Sequence, residues 1–206
     1  AGKAFDIEDV TLAPDETKAL IFHSSVRVWR TNTRGLYHVV DFASRRVTKL
    51  ASTPPGAAAR PAAGPSFLAT GLASGAADPT LQMFAKFSPD GAKVAYGRAN
   101  DLWVKDLRTG TDTRLTTDGS DDIINGTTDW VYEEELGLRD AFRWSPDSRR
   151  IAFWRFDQGA VPAYPIVDEL GIYPRVSTLR YPKAGEANSR VTVHVIGADG
   201  RNLRAL

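Results

Sequence analysis

The sequence predicts an all-β fold made of small antiparallel sheets that repeat along the chain. Three segments share a Pro-Asp turn followed by a short apolar strand: residues 13–20 (APDETKAL), 88–95 (SPDGAKVA) and 145–152 (SPDSRRIA). Proline presets the first dihedral angle of such a turn, and the aspartate side chain caps it. A repeat of this kind indicates that each unit is one supersecondary structure that stacks on its neighbours.

Two further strands are predicted after each turn. The second strands are predicted at residues 36–42, 101–107 and 191–196, and the third strands at residues 47–50, 113–116 and 203–206. This order predicts about three to four β-propeller blades, each a four-stranded antiparallel sheet. Regular short strands also fit a β-sandwich, but the repeated Pro-Asp turn favours the propeller.

Two segments interrupt the repeat. Residues 51–77 are rich in Ala, Pro and Gly, which predicts a loop insertion. Residues 157–189 contain three Tyr-Pro pairs, and these aromatic residues favour an ordered insertion within a blade. Three or four blades do not close a ring and would leave end strands exposed. Residues 1–206 are therefore expected to be part of a propeller domain within a longer polypeptide.

The composition excludes several classes of function. The net charge of +1 provides no field for binding nucleic acid. The absence of cysteine removes disulfides, thiol nucleophiles and thiolate metal sites. No run of 18 apolar residues is present, so we expect no membrane span. His23, His38 and His194 have no paired spacing and are predicted to be strand or surface residues rather than metal ligands.

The chain lacks a complete catalytic apparatus. It has no Gly-x-Ser-x-Gly nucleophile elbow, no His-Glu-x-x-His zinc helix and no phosphate-binding glycine loop. Asp118, Asp121 and Asp122 faintly resemble a calcium loop, but their spacing is wrong and the closing glutamate is absent. We therefore predict no catalytic residue, no metal and no cofactor within this chain.

The acidic run at residues 129–135 (DWVYEEE) is the strongest candidate for a binding site. Adjacent carboxylates repel one another, so a site that crowds and partly desolvates them needs a compensating cation. The ammonium group of a ligand would supply that charge. No Pro or Gly occurs in residues 130–136, which permits one helical turn. The run is interpreted as a sensor for a free peptide N-terminus; the alternative is a solvated acidic turn.

Arg30 is the candidate cation of this site. It precedes a polar stretch, residues 31–35 (TNTRG), which predicts a loop. An arginine beside two carboxylates lowers their pKa values, and its rigid fork can donate to a ligand carbonyl. Spacing alone equally fits an ordinary surface arginine.

Four segments give the chain a family resemblance. Residues 125–135 (NGTTDWVYEEE) closely resemble the glutamate motif of the dipeptidyl peptidase IV family, in its bacterial-type form, within the prolyl oligopeptidase clan of serine peptidases. Residues 144–147 (WSPD) resemble the family's next blade turn, and residues 181–188 (YPKAGEAN) a second motif downstream. The dipeptide at residues 29–30 (WR) resembles its propeller arginine.

The resemblance implies an architecture and a set of site residues. An eight-bladed N-terminal propeller would cover an α/β-hydrolase domain, expected beyond residue 206, that carries the Ser-Asp-His triad. A short helix would project Glu134 and Glu135 into the cavity to bind the substrate's N-terminal ammonium. Arg30 would pair with a glutamate and bind the carbonyl of the penultimate residue. Glu133 is expected outside the cavity, at backbone donors of the helix start.

The implied activity is that of a serine exopeptidase that releases N-terminal Xaa-Pro or Xaa-Ala dipeptides. Its partners would be peptides with a free N-terminus and a second copy in a homodimer, through regions mostly outside this chain. A periplasmic or secreted location is expected, with the cytoplasm as the alternative. Two other functions stay open: a non-enzymatic binding propeller, and a tripeptidyl or oligopeptidyl peptidase of the same clan. The insertion at residues 51–77 has no family counterpart.

Overall fold

The structure, a computed structural model, describes residues 6–51 and 80–206. Apart from Ala51, the predicted loop insertion at residues 51–77 lies outside the described residues. Within the described ranges the strands are β1 Ile7–Leu12, β2 Lys18–Val28, β3 Thr31–Asp41, β4 Arg46–Lys49, β5 Gln82–Phe87, β6 Lys93–Arg98, β7 Asp101–Asp106, β8 Asp112–Arg114, β9 Ile123–Asn125, β10 Phe142–Trp144, β11 Arg150–Asp157, β12 Ala163–Asp168, β13 Arg175–Arg180, β14 Arg190–Gly197 and β15 Arg204–Ala205, and the helix is α1 Trp130–Glu134.

The strands form three consecutive blades of four antiparallel strands. Blade I contains β1 to β4, blade II contains β5 to β8, and blade III contains β10, β11, β14 and β15. Two residue pairs between β3 and β5 join blades I and II at one end, and β9 extends blade III by pairing with β11. The all-β propeller arrangement predicted from the repeat is confirmed, and the sandwich alternative is wrong.

The Pro-Asp turns adopt one conformation in all three blades. In blade II the amide of Gly91 donates to the carbonyl of Ser88 at 2.8 Å, and the corresponding bonds in the other turns measure 2.9 and 3.0 Å. The residue after the aspartate has a positive φ in every copy, at Glu16, Gly91 and Ser148. The amide of Asp90 donates to Ser148 Oγ at 3.0 Å, so successive turns touch. The local repeat in sequence is therefore a geometric repeat between neighbouring blades.

The core lies between the faces of successive blades. One buried cluster fills the space between blades I and II: Ala13, Leu20, Val39, Leu50, Ala51, Ala85, Phe87, Val94 and Tyr96. A second fills the space between blades II and III: Ala95, Leu102, Val104, Leu115, Phe142, Ile151, Phe153 and Ile196. Each cluster contains side chains from two neighbouring blades. Truncating one large side chain in a cluster would therefore weaken the packing of both blades.

The predicted loop at residues 31–35 is wrong, because these residues begin strand β3. Val28 pairs with Thr31, so Trp29 and Arg30 form the turn of the β2–β3 hairpin. Further along, Arg34 and Gly35 also pair with β5. Pairing on both sides overrides the polar composition, since strand preference depends on context more than on residue type. Arg30 therefore lies at the tip of a hairpin.

The insertion at residues 157–189 forms a hairpin of its own. Strands β12 and β13 pair only with each other, in a two-stranded sheet apart from blade III. The last residue of β11, Asp157, pairs with the first residue of β14, Arg190, so the blade closes around the insertion. In the described part of the chain, no helix has the length and apolar composition needed to cross a membrane.

Candidate functional site

The acidic run lies in an excursion from blade III between β9 and β10. The excursion starts where the amide of Gly126 donates to the carbonyl of Trp154 at 3.0 Å. It ends where the amide of Ala141 donates back to the carbonyl of Gly126, also at 3.0 Å. Gly126 has a φ of +77°, and an added Cβ would lie 2.4 Å from Leu102 Cδ2. Glycine is required there, because both the conformation and the space exclude a side chain.

Asp129 caps the start of α1. One of its carboxylate oxygens accepts a hydrogen bond from the amide of Tyr132 at 3.0 Å. The other oxygen accepts from the hydroxyl of Ser189, in the insertion, at 2.5 Å. A helix of five residues has little stability of its own, so its cap and its tertiary contacts determine where it lies. The predicted single helical turn is confirmed.

Aromatic side chains hold α1 on two sides. Trp130 lies against Tyr181 of the insertion, with ring centroids 4.5 Å apart. Tyr132 points the other way and meets Phe156 and Trp154 of β11 edge-on, at 4.9 and 5.9 Å. Such aromatic pairs contribute about 0.5–1.5 kcal/mol beyond the area they bury. The helix is therefore fixed between the insertion and blade III.

Arg30 and Glu134 meet across the gap between blade I and the helix. The guanidinium Nε of Arg30 lies 2.5 Å from Glu134 Oε2. The side chain of Arg30 is 82% exposed, whereas that of Glu134 is only 6% exposed. The hairpin tip and the helix thus bring together two of the three side chains that the sequence singled out.

The second carboxylate oxygen of Glu134 has no donor. Oε1 is buried and makes no hydrogen bond to any described residue. An unpaired buried acceptor costs about 1–3 kcal/mol, and more when it is charged. The site therefore presents an anionic oxygen that a donor cation would satisfy.

Glu135, the third predicted site residue, follows the helix as its C-cap. Its amide donates to the carbonyl of Val131 at 2.9 Å. Its side chain is exposed and makes no hydrogen bond or ion pair within the described residues. Two adjacent carboxylates, one buried beside Arg30 and one exposed, stand at the end of a single helical turn.

Glu133 was expected to accept hydrogen bonds from backbone donors at the start of the helix, and this prediction is wrong. Glu133 is buried, and its Oε1 accepts from Thr31 Oγ1 at 3.2 Å and from Arg139 Nε at 3.3 Å, rather than from backbone donors. Burial raises the pKa of this carboxyl above its ordinary value, while Thr31 and Arg139 oppose that shift. The cap position at the helix start belongs to Asp129 instead, as a short polar residue before an apolar run can indicate.

The other polar candidates have structural partners. Asp118 accepts from Asn125 at 2.8 Å and from Arg155 at 2.9 Å, and Asp122 pairs with Arg180 at 2.5 Å. Within residues 6–51 and 80–206, no group of three or more potential metal ligands comes together. The resemblance of Asp118, Asp121 and Asp122 to a calcium loop therefore has no counterpart in the described structure.

The sequence analysis does not predict the contact between two buried histidines. His23 and His38 are buried on neighbouring strands, and His23 Nε2 lies 2.8 Å from His38 Nδ1. Fifteen positions separate them, and they meet only through the register of β2 and β3. No motif reveals a contact that depends on strand register.

Comparison with known proteins identifies the family of this chain. Residues 13–205 match the family described as "Dipeptidyl peptidase IV (DPP IV) N-terminal region". The chain belongs to this family. The match takes in the three blades apart from β1, together with the helix and the insertion, so the described structure is the family's β-propeller region.

Two curated relatives are dipeptidyl peptidases. A probable dipeptidyl peptidase 4 from Aspergillus clavatus is 34% identical over 192 residues, which cover 89% of this chain and 23% of the relative. Dipeptidyl aminopeptidase B from Saccharomyces cerevisiae is 29% identical over 200 residues, covering 94% of this chain and 21% of that protein. The chain therefore spans under a quarter of the length of these relatives.

Two solved structures have a similar fold. The crystal structure of Porphyromonas gingivalis dipeptidyl peptidase 4 superposes with a TM-score of 0.80 at 31% identity, covering 97% of this chain and 25% of that one. A putative dipeptidyl aminopeptidase IV from Bacteroides ovatus shares the fold, with a TM-score of 0.55 at 21% identity, covering 92% of this chain and 21% of that one.

Proposed function

We propose that the chain is the substrate-binding propeller region of a serine exopeptidase that releases N-terminal Xaa-Pro or Xaa-Ala dipeptides. One observation carries the proposal: Glu134 Oε1 is buried without a donor beside the exposed guanidinium of Arg30. A substrate ammonium has three donors and one positive charge, so it would satisfy this oxygen and offset its burial. Glu135, adjacent and exposed, would supply the second carboxylate.

Arg30 would bind the substrate's backbone. It contacts Glu134 through Nε, and its remaining donors have no partner among the described residues. A guanidinium presents its donors in a rigid fork, so one edge can bond a carboxylate while another donates to a carbonyl. The penultimate residue of the substrate would present that carbonyl.

The arrangement would act by positioning rather than by acid-base chemistry. An anionic anchor fixed at one end and a nucleophile at the other would measure two residues from the free amine. We place the nucleophile in an α/β-hydrolase domain beyond residue 206, with a Ser-Asp-His triad. The names of the relatives, and the small share of their length that this chain covers, support that placement.

The test compares Gly-Pro chromogenic amide with its N-acetylated form, using the complete protein. We expect only the free-amine form to be cleaved. Glu134→Gln should lower kcat/KM for it by about 30- to 4000-fold, the factor equivalent to truncating a buried charge pair. Glu169→Gln makes the same chemical change at an exposed position of the insertion and should leave kcat/KM unchanged.

Three results would contradict the proposal. Equal cleavage of both amides would indicate an endopeptidase-like site that does not read the N-terminus. Cleavage of neither would favour a non-enzymatic binding propeller. Release of three-residue or longer products from a proline-containing peptide would indicate the tripeptidyl or oligopeptidyl alternative.

The homodimer and the periplasmic location stay predictions of the same proposal. The absence of cysteine supports an oxidising or a reducing compartment equally, so fractionation of the native cells would decide the location. Sedimentation of the complete protein would decide the oligomeric state. A monomer at working concentration would contradict the homodimer.

A further inference from the structure

The Arg30–Glu134 ion pair does not by itself explain how the candidate site keeps its shape. Arg30 is at the tip of a hairpin and is mostly exposed. An ion pair with one exposed partner contributes about 0–1 kcal/mol and is screened by salt. Something less exposed must therefore set the distance between the hairpin and the helix.

A second contact, parallel to the ion pair, joins the same two elements. Thr31 follows Arg30 and donates its hydroxyl to Oε1 of Glu133, which precedes Glu134. These residues are 102 positions apart in the sequence. Unlike Arg30, Glu133 is 3% exposed, so its hydrogen bonds are shielded from competing water. We call this contact the Thr31–Glu133 bridge.

Cations around Glu133 favour its charged form. Arg139, from the segment after the helix, lies 3.3 Å from the carboxylate. Arg34, on the strand that begins with Thr31, is close enough for Glu133 to oppose the lowering of its pKa that burial causes. Helix, hairpin and return segment therefore converge on one buried carboxylate.

We propose that Glu133 is a positioning residue, which holds the Arg30-bearing hairpin at a fixed distance from the carboxylates of α1 through the Thr31–Glu133 bridge. This inference rests on the proposed function, because it assigns Glu133 a role in amine recognition without contact to the substrate. Glu133 would keep Arg30 within reach of both Glu134 and the substrate carbonyl.

The test uses the complete protein and a free-amine Xaa-Pro amide. Thr31→Val removes the bridging hydroxyl at nearly constant shape and should raise KM by about threefold to tenfold, with kcat changed less. Glu133→Gln should raise KM by about tenfold or more, because it also removes the charge that faces Arg139. Thr33→Val is the matched control: its buried hydroxyl, on the same strand, has no hydrogen-bond partner in the described structure, so KM should stay unchanged.

A double-mutant cycle separates positioning from a general loss of stability. If the bridge acts through Arg30, adding Arg30→Met to Thr31→Val should raise KM by less than the product of the two single effects. A purely structural Glu133 would lower the unfolding midpoint while KM stayed at the wild-type value, and that result would overturn the inference.

The two proposals fail separately. If Glu134→Gln leaves the preference for a free amine unchanged, the proposed amine site is wrong. If Glu134→Gln abolishes that preference while Thr31→Val and Glu133→Gln keep the wild-type KM, only the positioning role is wrong.

Discussion

At the scale of single residues, three adjacent glutamates in this propeller region have different environments. Glu133 is buried against Thr31 and Arg139, the side chain of Glu134 is 6% exposed beside Arg30, and Glu135 is exposed. The side chains differ because consecutive positions of a helical turn point in directions about 100° apart. Three identical side chains thus provide one carboxylate bound by Thr31 and Arg139, one that pairs with Arg30 and keeps one oxygen unpaired, and one that is exposed.

The buried histidine pair predicts a pH dependence at the residue scale. Burial lowers the pKa of His23 and His38 below their ordinary value of 6.5; for His23, Glu8 opposes the shift, and Lys49 reinforces it for both. As the pH falls below 6.5, these histidines become protonated in the unfolded state before they do so in the folded state, and this difference lowers the free energy of unfolding. We expect full stability above that pH and progressive loss below it.

The measurement is the urea unfolding midpoint at pH 7.5 and pH 5.5. The double variant His23→Asn, His38→Asn should lose part of the fall in midpoint that the wild type shows on acidification. A smaller fall should remain, because burial also lowers the pKa of His194. Identical falls in wild type and double variant would contradict the assignment to this pair.

At the scale of elements, the excursion that carries the helix depends on one glycine. Gly126 needs a positive φ and lies where a Cβ would overlap Leu102 of blade II. Gly126→Ala should destabilise the protein by about 2–5 kcal/mol, the sum of the conformational strain and the overpacking. The backbone movement needed to accommodate the alanine should also move α1 and weaken binding of free-amine substrate.

Gly137→Ala provides the matched control for this prediction. Gly137 has a similar φ of +67°, but no atom lies within 4 Å of the added Cβ. It should therefore cost only the conformational term, about 1–2 kcal/mol. Equal unfolding free energies for the two variants would show that the contact with Leu102 does not matter.

Local signals explain which elements could be predicted from the sequence. The Pro-Asp turns and the strands after them are encoded within eight residues, so the blades were recognisable without knowledge of their partners. The loop prediction for residues 31–35 is wrong because their strand character comes from pairing with β2 in the same hairpin and, for Arg34 and Gly35, also with β5, about fifty positions away. The sequence therefore predicts the repeat better than it predicts the pairing.

The candidate site also contains residues that local motifs predict and residues that only the assembled structure reveals. The acidic motif and Trp29-Arg30 identified Glu134 and Arg30, which the structure places in contact. The role of Glu133 depends on the rotation of a single helical turn, and Thr31 has no motif at all. Contacts that depend on rotation or register become visible only once the elements are assembled.

At the scale of the whole molecule, stability should be distributed unevenly between the blades and the insertion. Strand β6 is almost entirely buried between blades, whereas β12 and β13 form a two-stranded sheet with mostly exposed residues. Leu170, Ile172 and Tyr173, in the turn of this hairpin, are more than 80% exposed. An isolated two-stranded hairpin is marginally stable in water.

Hydrogen exchange on the complete protein would test this distribution. Amides paired between β12 and β13 should exchange about 100-fold faster than those paired between β11 and β14, a difference of about 2.7 kcal/mol in opening free energy. The two ladders are comparable, because both are antiparallel; the β11–β14 ladder flanks the insertion, and the β12–β13 ladder lies within it. Equal protection would contradict the prediction and show that another surface covers the hairpin. Since Ser189 holds the helix cap from outside the hairpin ladder, and Trp154 and Phe156 of β11 hold Tyr132, rapid exchange in β12 and β13 should leave protection of α1 unchanged.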